Sequence, residues 1–68
     1  MKLREYIDQL GAKGELDYAD RCGIAPSYLR IHVKYASKDP SVGLIRRLAA
    51  GSENQVSIVE VLQHYRVL

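Results

Sequence analysis

The residues of this chain that could do chemistry lie in one stretch, and the chemistry they suit is contact with a polyanion. Ser27, Arg30, Ile31 and Lys34 fall on one helical face at about 100° per residue, and Lys38 extends the line into the following loop. Arg can bond guanine through two hydrogen bonds, Ser can bond phosphate or base, and Ile can touch the thymine methyl group. No acid stands among the five. They predict a surface for double-stranded DNA, and the alternative is a solvated face.

One proline and two tyrosines lie next to this face in the sequence. Pro26 stands where a helix can begin, because a missing N–H costs nothing in the first turn. Tyr28 and Tyr35 could bond phosphates through their hydroxyls, although Tyr28 could equally pack against a neighbouring helix. The expected DNA-binding residues are Pro26, Ser27, Tyr28, Arg30, Ile31, Lys34 and Lys38.

The charge of the chain is unevenly distributed. The total is +2, but residues 21–47 hold six basic residues and one acidic residue, a net charge of +5, and the rest carries −3. A local excess of this kind favours a polyanionic partner more than the total does. Arg46 and Arg47 belong to this excess, and they are either a solvated pair or a phosphate contact.

Other chemistry finds little support. Cys22, His32 and His64 are the only soft metal ligands, and they lack the spacing of a zinc site. There is no glycine-rich phosphate loop and no Ser/His/Asp arrangement with a plausible cleft. We therefore expect no enzyme activity, metal, cofactor or small-molecule ligand. His32 is expected to be a packing residue, and Cys22 a buried one.

Length and composition bound the class of protein. Sixty-eight residues fit a single domain, residues 1–68, with a small core. No apolar run approaches the roughly 18 residues that a membrane span needs. A single cysteine cannot form an internal disulfide and no signal peptide precedes the domain, so we expect a cytoplasmic protein.

The elements that must position these residues are helices. Apolar residues at helical spacing, ended by glycines or loops, predict five helices over residues ~3–10, ~14–22, ~26–36, ~42–50 and ~57–66. Ser41 is the expected cap of the fourth. Residues 56–66 could instead form a strand, since several are β-branched. We favour helix because Ser57 and Glu60 have the spacing of a capping box.

The junction between the second and third predicted helices carries the main signal for the fold. Ala19 is small enough for two backbones to approach, Gly23 allows the chain to reverse with positive φ, and Leu29 points back into the core. This spacing is typical of a helix-turn-helix unit, here about residues 15–36, whose second helix can lie in a DNA major groove. A plain helical corner with no nucleic-acid role is the alternative.

Three segments carry a resemblance to a known family: the opening Met1-Lys-Leu-Arg-Glu-Tyr-Ile7, the central Cys22-Gly-Ile-Ala-Pro-Ser-Tyr-Leu29, and Pro40-Ser-Val-Gly-Leu-Ile-Arg-Arg-Leu48. The whole chain resembles a small Cro-type phage or prophage repressor, especially the YdaS-like helix-turn-helix group. The resemblance implies an all-α, five-helix repressor-like domain that binds operator DNA, usually as a homodimer, and regulates transcription. The sequence departs from that pattern at Ala25, where a Ser or Thr cap is common, and at Glu15 and Pro26, where many relatives have Gln.

Two functions remain open from the sequence. The first is sequence-specific binding of double-stranded DNA by a Cro-like transcriptional repressor. One short helix touches only a few base pairs, so we expect a homodimer on a near-palindromic operator. The second is a protein-interaction module, such as a YdaS-like antitoxin whose main partner is another protein.

Overall fold

Helices are the only regular elements of the chain. The structure is a computed structural model that describes all 68 residues. The helices are α1 (Leu3–Cys22), α2 (Pro26–Tyr28), which continues directly as a π-helical segment (Leu29–Val33), α3 (Val42–Gly51) and α4 (Ile58–His64). We call α2 and the π-helical segment together the second helix. The all-α prediction is confirmed, and so is the preference for helix over strand near the C-terminus.

The structure has four helices where five were expected, and the difference lies at Gly11. This residue has φ 72° and ψ 175°, which is not helical, yet helix resumes on its far side. A residue with a side chain would be strained at this φ, whereas glycine adopts it without steric cost. Gly11 therefore breaks the regular helix, and α1 consists of two helical parts that meet where the boundary between the first and second helices was predicted.

The second helix corresponds to the third predicted helix. It begins at Pro26 as predicted, and its π-helical segment ends at Val33, within three residues of the predicted end near Ala36. The amide of Lys34 donates to the carbonyl of Leu29 at 2.9 Å, a wide π-type turn. Ala36 then adopts a left-handed conformation with φ 51°, which stops the helix.

Both predicted serine caps are present. The Ser41 hydroxyl accepts a hydrogen bond from the Leu44 amide at 3.0 Å. Ser57 and Glu60 form a capping box, in which each side chain accepts from the other residue's amide at 3.1 and 3.0 Å. The N-terminal ammonium of Met1 lies 2.7 Å from a Glu60 carboxylate oxygen and ties the chain start to α4.

The core draws on every helix. Its buried apolar residues are Leu3, Tyr6, Ile7, Tyr18, Ala19, Cys22, Leu29, Val33, Leu44, Leu48, Val56 and Val61. The predicted burial of Cys22 is confirmed. Leu16 and Ile58, placed on inward faces by their spacing, are about half exposed at 52% and 49%. A core this small covers only part of each apolar face.

Hydrogen bonds between side chains and helix ends join α1 to α3. The Tyr18 hydroxyl donates to the Leu48 carbonyl at 2.6 Å, and the Arg21 guanidinium donates to the Gly51 carbonyl at 2.8 Å. These carbonyls lie in the last turn of α3, where no amide within the helix can reach them. Gly51 lies so close to α1 that a Cβ there would come within 3.0 Å of the Cys22 sulfur.

Ser52 makes the corresponding connection from α3 to α4. Its hydroxyl is fully buried, donates to the Ala49 carbonyl at 2.7 Å and accepts from the Val56 amide at 3.0 Å. These bonds hold the polar link between the two helices against the core. No buried side-chain polar atom of the chain lacks a partner.

We expect Tyr18→Phe to lower the free energy of unfolding by about 1–3 kcal/mol, because the buried Leu48 carbonyl loses its donor while the ring still fills the core. Tyr35→Phe is the matched control, since Tyr35 is 61% exposed. Urea unfolding followed by circular dichroism measures both variants. Equal stability of the two variants would contradict a role for the Tyr18 hydroxyl in joining α1 to α3.

Candidate nucleic-acid interface

A three-residue turn, residues 23–25, connects α1 to the second helix. Gly23 has φ 68°, the Gly23 amide donates to Asp20 and the Ile24 amide donates to Ala19 at 3.0 Å. These two bonds form a Schellman motif, which ends a helix and turns the chain. Ala19 is fully buried as predicted. The second helix therefore starts at a position fixed by the end of α1.

The second helix has one buried and one exposed side. Leu29 and Val33 are fully buried, whereas Ser27 and Arg30 are exposed and Ile31 is 55% exposed. This matches the division expected from the spacing. This face therefore offers a hydroxyl, a guanidinium and an apolar side chain to a partner.

The remaining predicted site residues differ in exposure. Lys38 is exposed in the loop after the helix, and Lys34 is half-buried. Tyr28 is half-buried against the core, with its ring centroid 5.0 Å from that of His32. Pro26 is half-buried as well. Packing against neighbouring elements, the alternative left open for Tyr28, is thus its observed role.

Two acids of α1 lie against this face, and the sequence reasoning missed both. The Lys34 ammonium is 3.1 Å from an Asp8 oxygen, and the Arg30 guanidinium is 4.0 Å from a Glu15 oxygen. The exposed line of the second helix has no acid of its own, but the fold supplies two. No local sequence pattern indicates this shared face, because the non-helical Gly11 lies between Asp8 and Glu15 and their spacing does not place them on one helical side.

Asp8 holds a second cation in addition to Lys34. The Arg4 guanidinium lies 3.3 Å from the other Asp8 oxygen, one helical turn back. The hydrogen bond from Lys34 holds the pKa of the Asp8 carboxyl below its usual value, and the charges of Lys34 and Arg4 act in the same direction. Both cations also lie near the Tyr35 ring, whose centroid is 4.8 Å from the Arg4 guanidinium carbon and 5.8 Å from the Lys34 ammonium nitrogen.

Few cations of the basic stretch are free for a ligand. Arg21 binds the Gly51 carbonyl, and Arg47 donates to the Cys22 carbonyl at 2.9 Å. These two arginines hold helix ends together. Arg47 nevertheless remains exposed, so its contact to Cys22 leaves both the solvated and the phosphate-contact alternatives open. Lys38 and Arg46 are exposed and have no ion-pair partner.

The remaining reactive side chains have structural partners. His32 lies 2.9 Å from the Ser37 hydroxyl, and His64 donates to the Val33 carbonyl at 2.6 Å. Burial raises the pKa of the Cys22 thiol, which disfavours the reactive thiolate. No group of three or more potential metal ligands comes together in the chain. None of its helices has both the length and the apolar character that crossing a membrane requires.

Comparisons with protein-family models, curated proteins and solved structures found no match to this chain. The resemblance to Cro-type repressors therefore stays a prediction. The geometry of the chain itself carries the functional argument.

We expect the pKa of the Asp8 carboxyl to rise in Lys34→Met, because the strongest hydrogen bond to its ionised form is lost. Since folding lowers this pKa, the Lys34–Asp8 pair stabilises the fold above the carboxyl's unfolded pKa, and the contribution is lost as the pH falls through the folded pKa. NMR titration of the Asp8 side chain measures the change. Lys38→Met, which removes an unpaired charge, is the control, and equal Asp8 titration in both variants would contradict the contact.

Proposed function

We propose that this protein binds double-stranded DNA sequence-specifically through the exposed face of its second helix, as a Cro-like transcriptional repressor acting on operator DNA. The observation that carries the proposal is the two-sided character of this helix. Leu29 and Val33 anchor it in the core, and Ser27, Arg30 and Ile31 point outward. The exposed set combines the donors and the apolar group that base edges and phosphates require.

The elements before this helix support a helix-turn-helix role for residues 15–36. The buried Ala19, the left-handed Gly23 and the buried Leu29 stand where such a unit needs a close approach, a reversal and an anchor. A helix with its side chains is about 10–12 Å in diameter, and a major groove about 12 Å wide admits one.

The ion pairs on this face are compatible with release to DNA. The Arg30 side chain is 59% exposed and Glu15 20% exposed, and their contact is long at 4.0 Å, so the pair contributes at most about 1 kcal/mol. Releasing Arg30 to guanine or phosphate therefore costs little at the pair itself, although the Glu15 carboxylate that stays beside the DNA offsets part of the gain. Ile31 would meet a thymine methyl group, and Ser27 a phosphate or a base. Lys38 and the half-buried Lys34 would contact phosphates.

A specific observation also favours the second candidate, a protein-interaction module such as an antitoxin. Glu15 and Asp8 offset the charges of Arg30 and Lys34, and they leave Ile31 on a mixed apolar and charged surface that would also suit a protein partner. Gel-shift titration with random duplexes at low salt and at about 300 mM salt separates the two. A DNA-binding protein retards the duplex only at low salt, because releasing phosphate contacts costs affinity steeply, and a pure interaction module retards it at neither.

We expect Arg30→Ala and Lys38→Ala to weaken DNA binding in different ways. Arg30→Ala should cost about 1–3 kcal/mol on the best site and relax the preference at one base pair, because a planar guanidinium matches guanine and no other side chain replaces it. Lys38→Ala should weaken all sequences about equally and lower the salt slope by about 1, as the loss of one phosphate contact does.

Selection of sites from a random duplex library, followed by binding titrations at several salt concentrations, measures both effects. Lys13→Ala is the control, since Lys13 is an exposed, unpaired cation of α1 outside the second helix. Unchanged binding in both Arg30→Ala and Lys38→Ala would identify the line as a solvated face and favour the interaction module.

We expect a homodimer on the operator. One helix of this length reads only a few base pairs, so specificity requires two copies with half-sites about 10 base pairs apart, centre to centre. Footprinting on a selected site should show two protected half-sites related by near-palindromic sequence. A single short asymmetric footprint would exclude this mode of binding.

A further inference from the structure

We propose that a basic pocket beside the C-terminal turn is a binding site for a phosphate group. The pocket lies between the end of the second helix, the start of α1 and the turn that ends α4. Its volume is about 410 Å³, within the range of about 300–1,000 Å³ of small-ligand sites. The side chains that give it its chemistry are Arg4, Lys34, Tyr35, His64, Tyr65 and Arg66.

The charge of the pocket favours an anion. Three of its lining residues are cations and none is an acid. Asp8 stands outside the lining and pairs with Arg4 and Lys34, while Arg66 has no ion-pair partner. The pocket thus has three cations in its lining, and the one nearby carboxylate that is paired with them, Asp8, contacts two of the three. The imbalance suits a doubly charged ligand such as a phosphate group better than a singly charged ion.

The walls of the pocket are held in place by contacts between elements. His64 of α4 donates to the Val33 carbonyl at 2.6 Å, and this bond fixes α4 against the second helix. The Tyr35 ring packs near both cations, with its centroid 4.8 Å from the Arg4 guanidinium and 5.8 Å from the Lys34 ammonium. Burial raises the pKa of Tyr65 to about 12, so its hydroxyl keeps its proton and does not add a negative charge. The pocket is thus formed before any ligand arrives.

The backbone of Arg66 points to a use for its side chain. Arg66 has φ 60°, the Val67 amide donates to Leu62 and the Arg66 amide donates to Gln63, both at 3.0 Å. These bonds form a Schellman motif, in which glycine is the usual residue at the position of Arg66. A side chain at this φ is strained. Glycine at this position would therefore give a more stable fold, but it would not place a positive charge at the pocket as Arg66 does.

Ala36 provides a matched position on the opposite side of the pocket. It has φ 51° and closes the second helix through the same pair of hydrogen bonds, from the Ala36 amide to Val33 and from the Ser37 amide to His32. Its side chain is also strained but carries no charge. Glycine at either position should stabilise the fold, and only glycine at Arg66 should remove a ligand contact.

The first experiment is an NMR titration of the protein with inorganic phosphate, compared with chloride at equal ionic strength. We expect the amides of Ala36, His64 and Arg66 to shift saturably with phosphate and not with chloride. Arg66→Gly should raise the melting temperature and weaken phosphate binding by about three- to fivefold, the effect of losing one exposed ion pair. Arg66→Gln should weaken binding to the same extent and controls for any change of fold in the glycine variant.

Two further variants sharpen the test. Ala36→Gly should raise the melting temperature and weaken phosphate binding less than Arg66→Gly does, because it removes no charge from the pocket lining. Asp8→Asn should strengthen phosphate binding about three- to fivefold, because it removes the acid that competes for Arg4 and Lys34. Equal shifts with chloride, or wild-type phosphate affinity in both Arg66→Gly and Arg66→Gln, would overturn the proposal.

The phosphate group could come from a DNA backbone beside the second helix or from a free phosphate ester, and a duplex of random sequence distinguishes them. If the duplex shifts the pocket amides and inorganic phosphate competes with it, the source is the backbone. If phosphate shifts them and the duplex does not, the source is a free ester. If the duplex shifts the Arg30 amide alone and phosphate shifts no pocket amide, the pocket proposal fails and the DNA-binding proposal stands. If phosphate binds and the duplex does not, the DNA-binding proposal fails and the pocket proposal stands.

Discussion

The hydrogen bond from the Tyr18 hydroxyl to the Leu48 carbonyl is the contact on which the rest of the structure depends. It lies in the core and supplies a donor that the end of α3 cannot find within its own helix. Arg21 of α1 likewise donates to the Gly51 carbonyl of α3. In the opposite direction, Arg47 of α3 donates to the Cys22 carbonyl of α1. Because Cys22 ends α1, these bonds fix where the following turn begins and so place the second helix. The junction between α1 and α3 therefore fixes the position of the exposed face of the second helix, although none of the junction's residues belongs to that face.

These hydrogen bonds reduce the number of cations that the basic stretch offers to a partner. Residues 21–47 carry a net charge of +5, which by itself indicates an open cationic surface. Arg21 and Arg47 are instead structural, since each satisfies a helix-end carbonyl whose loss would cost more than an exposed charge gains. The charge that this stretch offers to a partner is therefore smaller than the sequence suggests, and it lies in the second helix, at Lys38 in the loop after it and at Arg46 of α3.

The sequence predicts what depends on neighbours three or four residues apart. The caps at Ser41 and Ser57 and the reversal at Gly23 are of this kind, and all three are present. The exposed and buried sides of the second helix also follow from local spacing. The missed features depend on contacts that no local pattern encodes. Whether helix resumes directly after the non-helical Gly11, and whether the second helix takes a π-helical form at Leu29–Val33, is decided by how the segments pack in three dimensions. The carboxylates opposite the candidate interface, and the pocket formed with the C-terminal turn, likewise come from residues distant in sequence.

Lys34 links the proposed DNA surface to the proposed phosphate pocket. It lies on the second helix, lines the pocket and is bound by Asp8, which also binds Arg4. A phosphate that draws Lys34 and Arg4 into the pocket leaves Asp8 without its partners and places a negative charge near the helix. If both surfaces bind as proposed, their occupancy is coupled through the ammonium group of Lys34. We expect the coupling to be competitive when separate ligands fill the two surfaces, and cooperative when one DNA backbone reaches both.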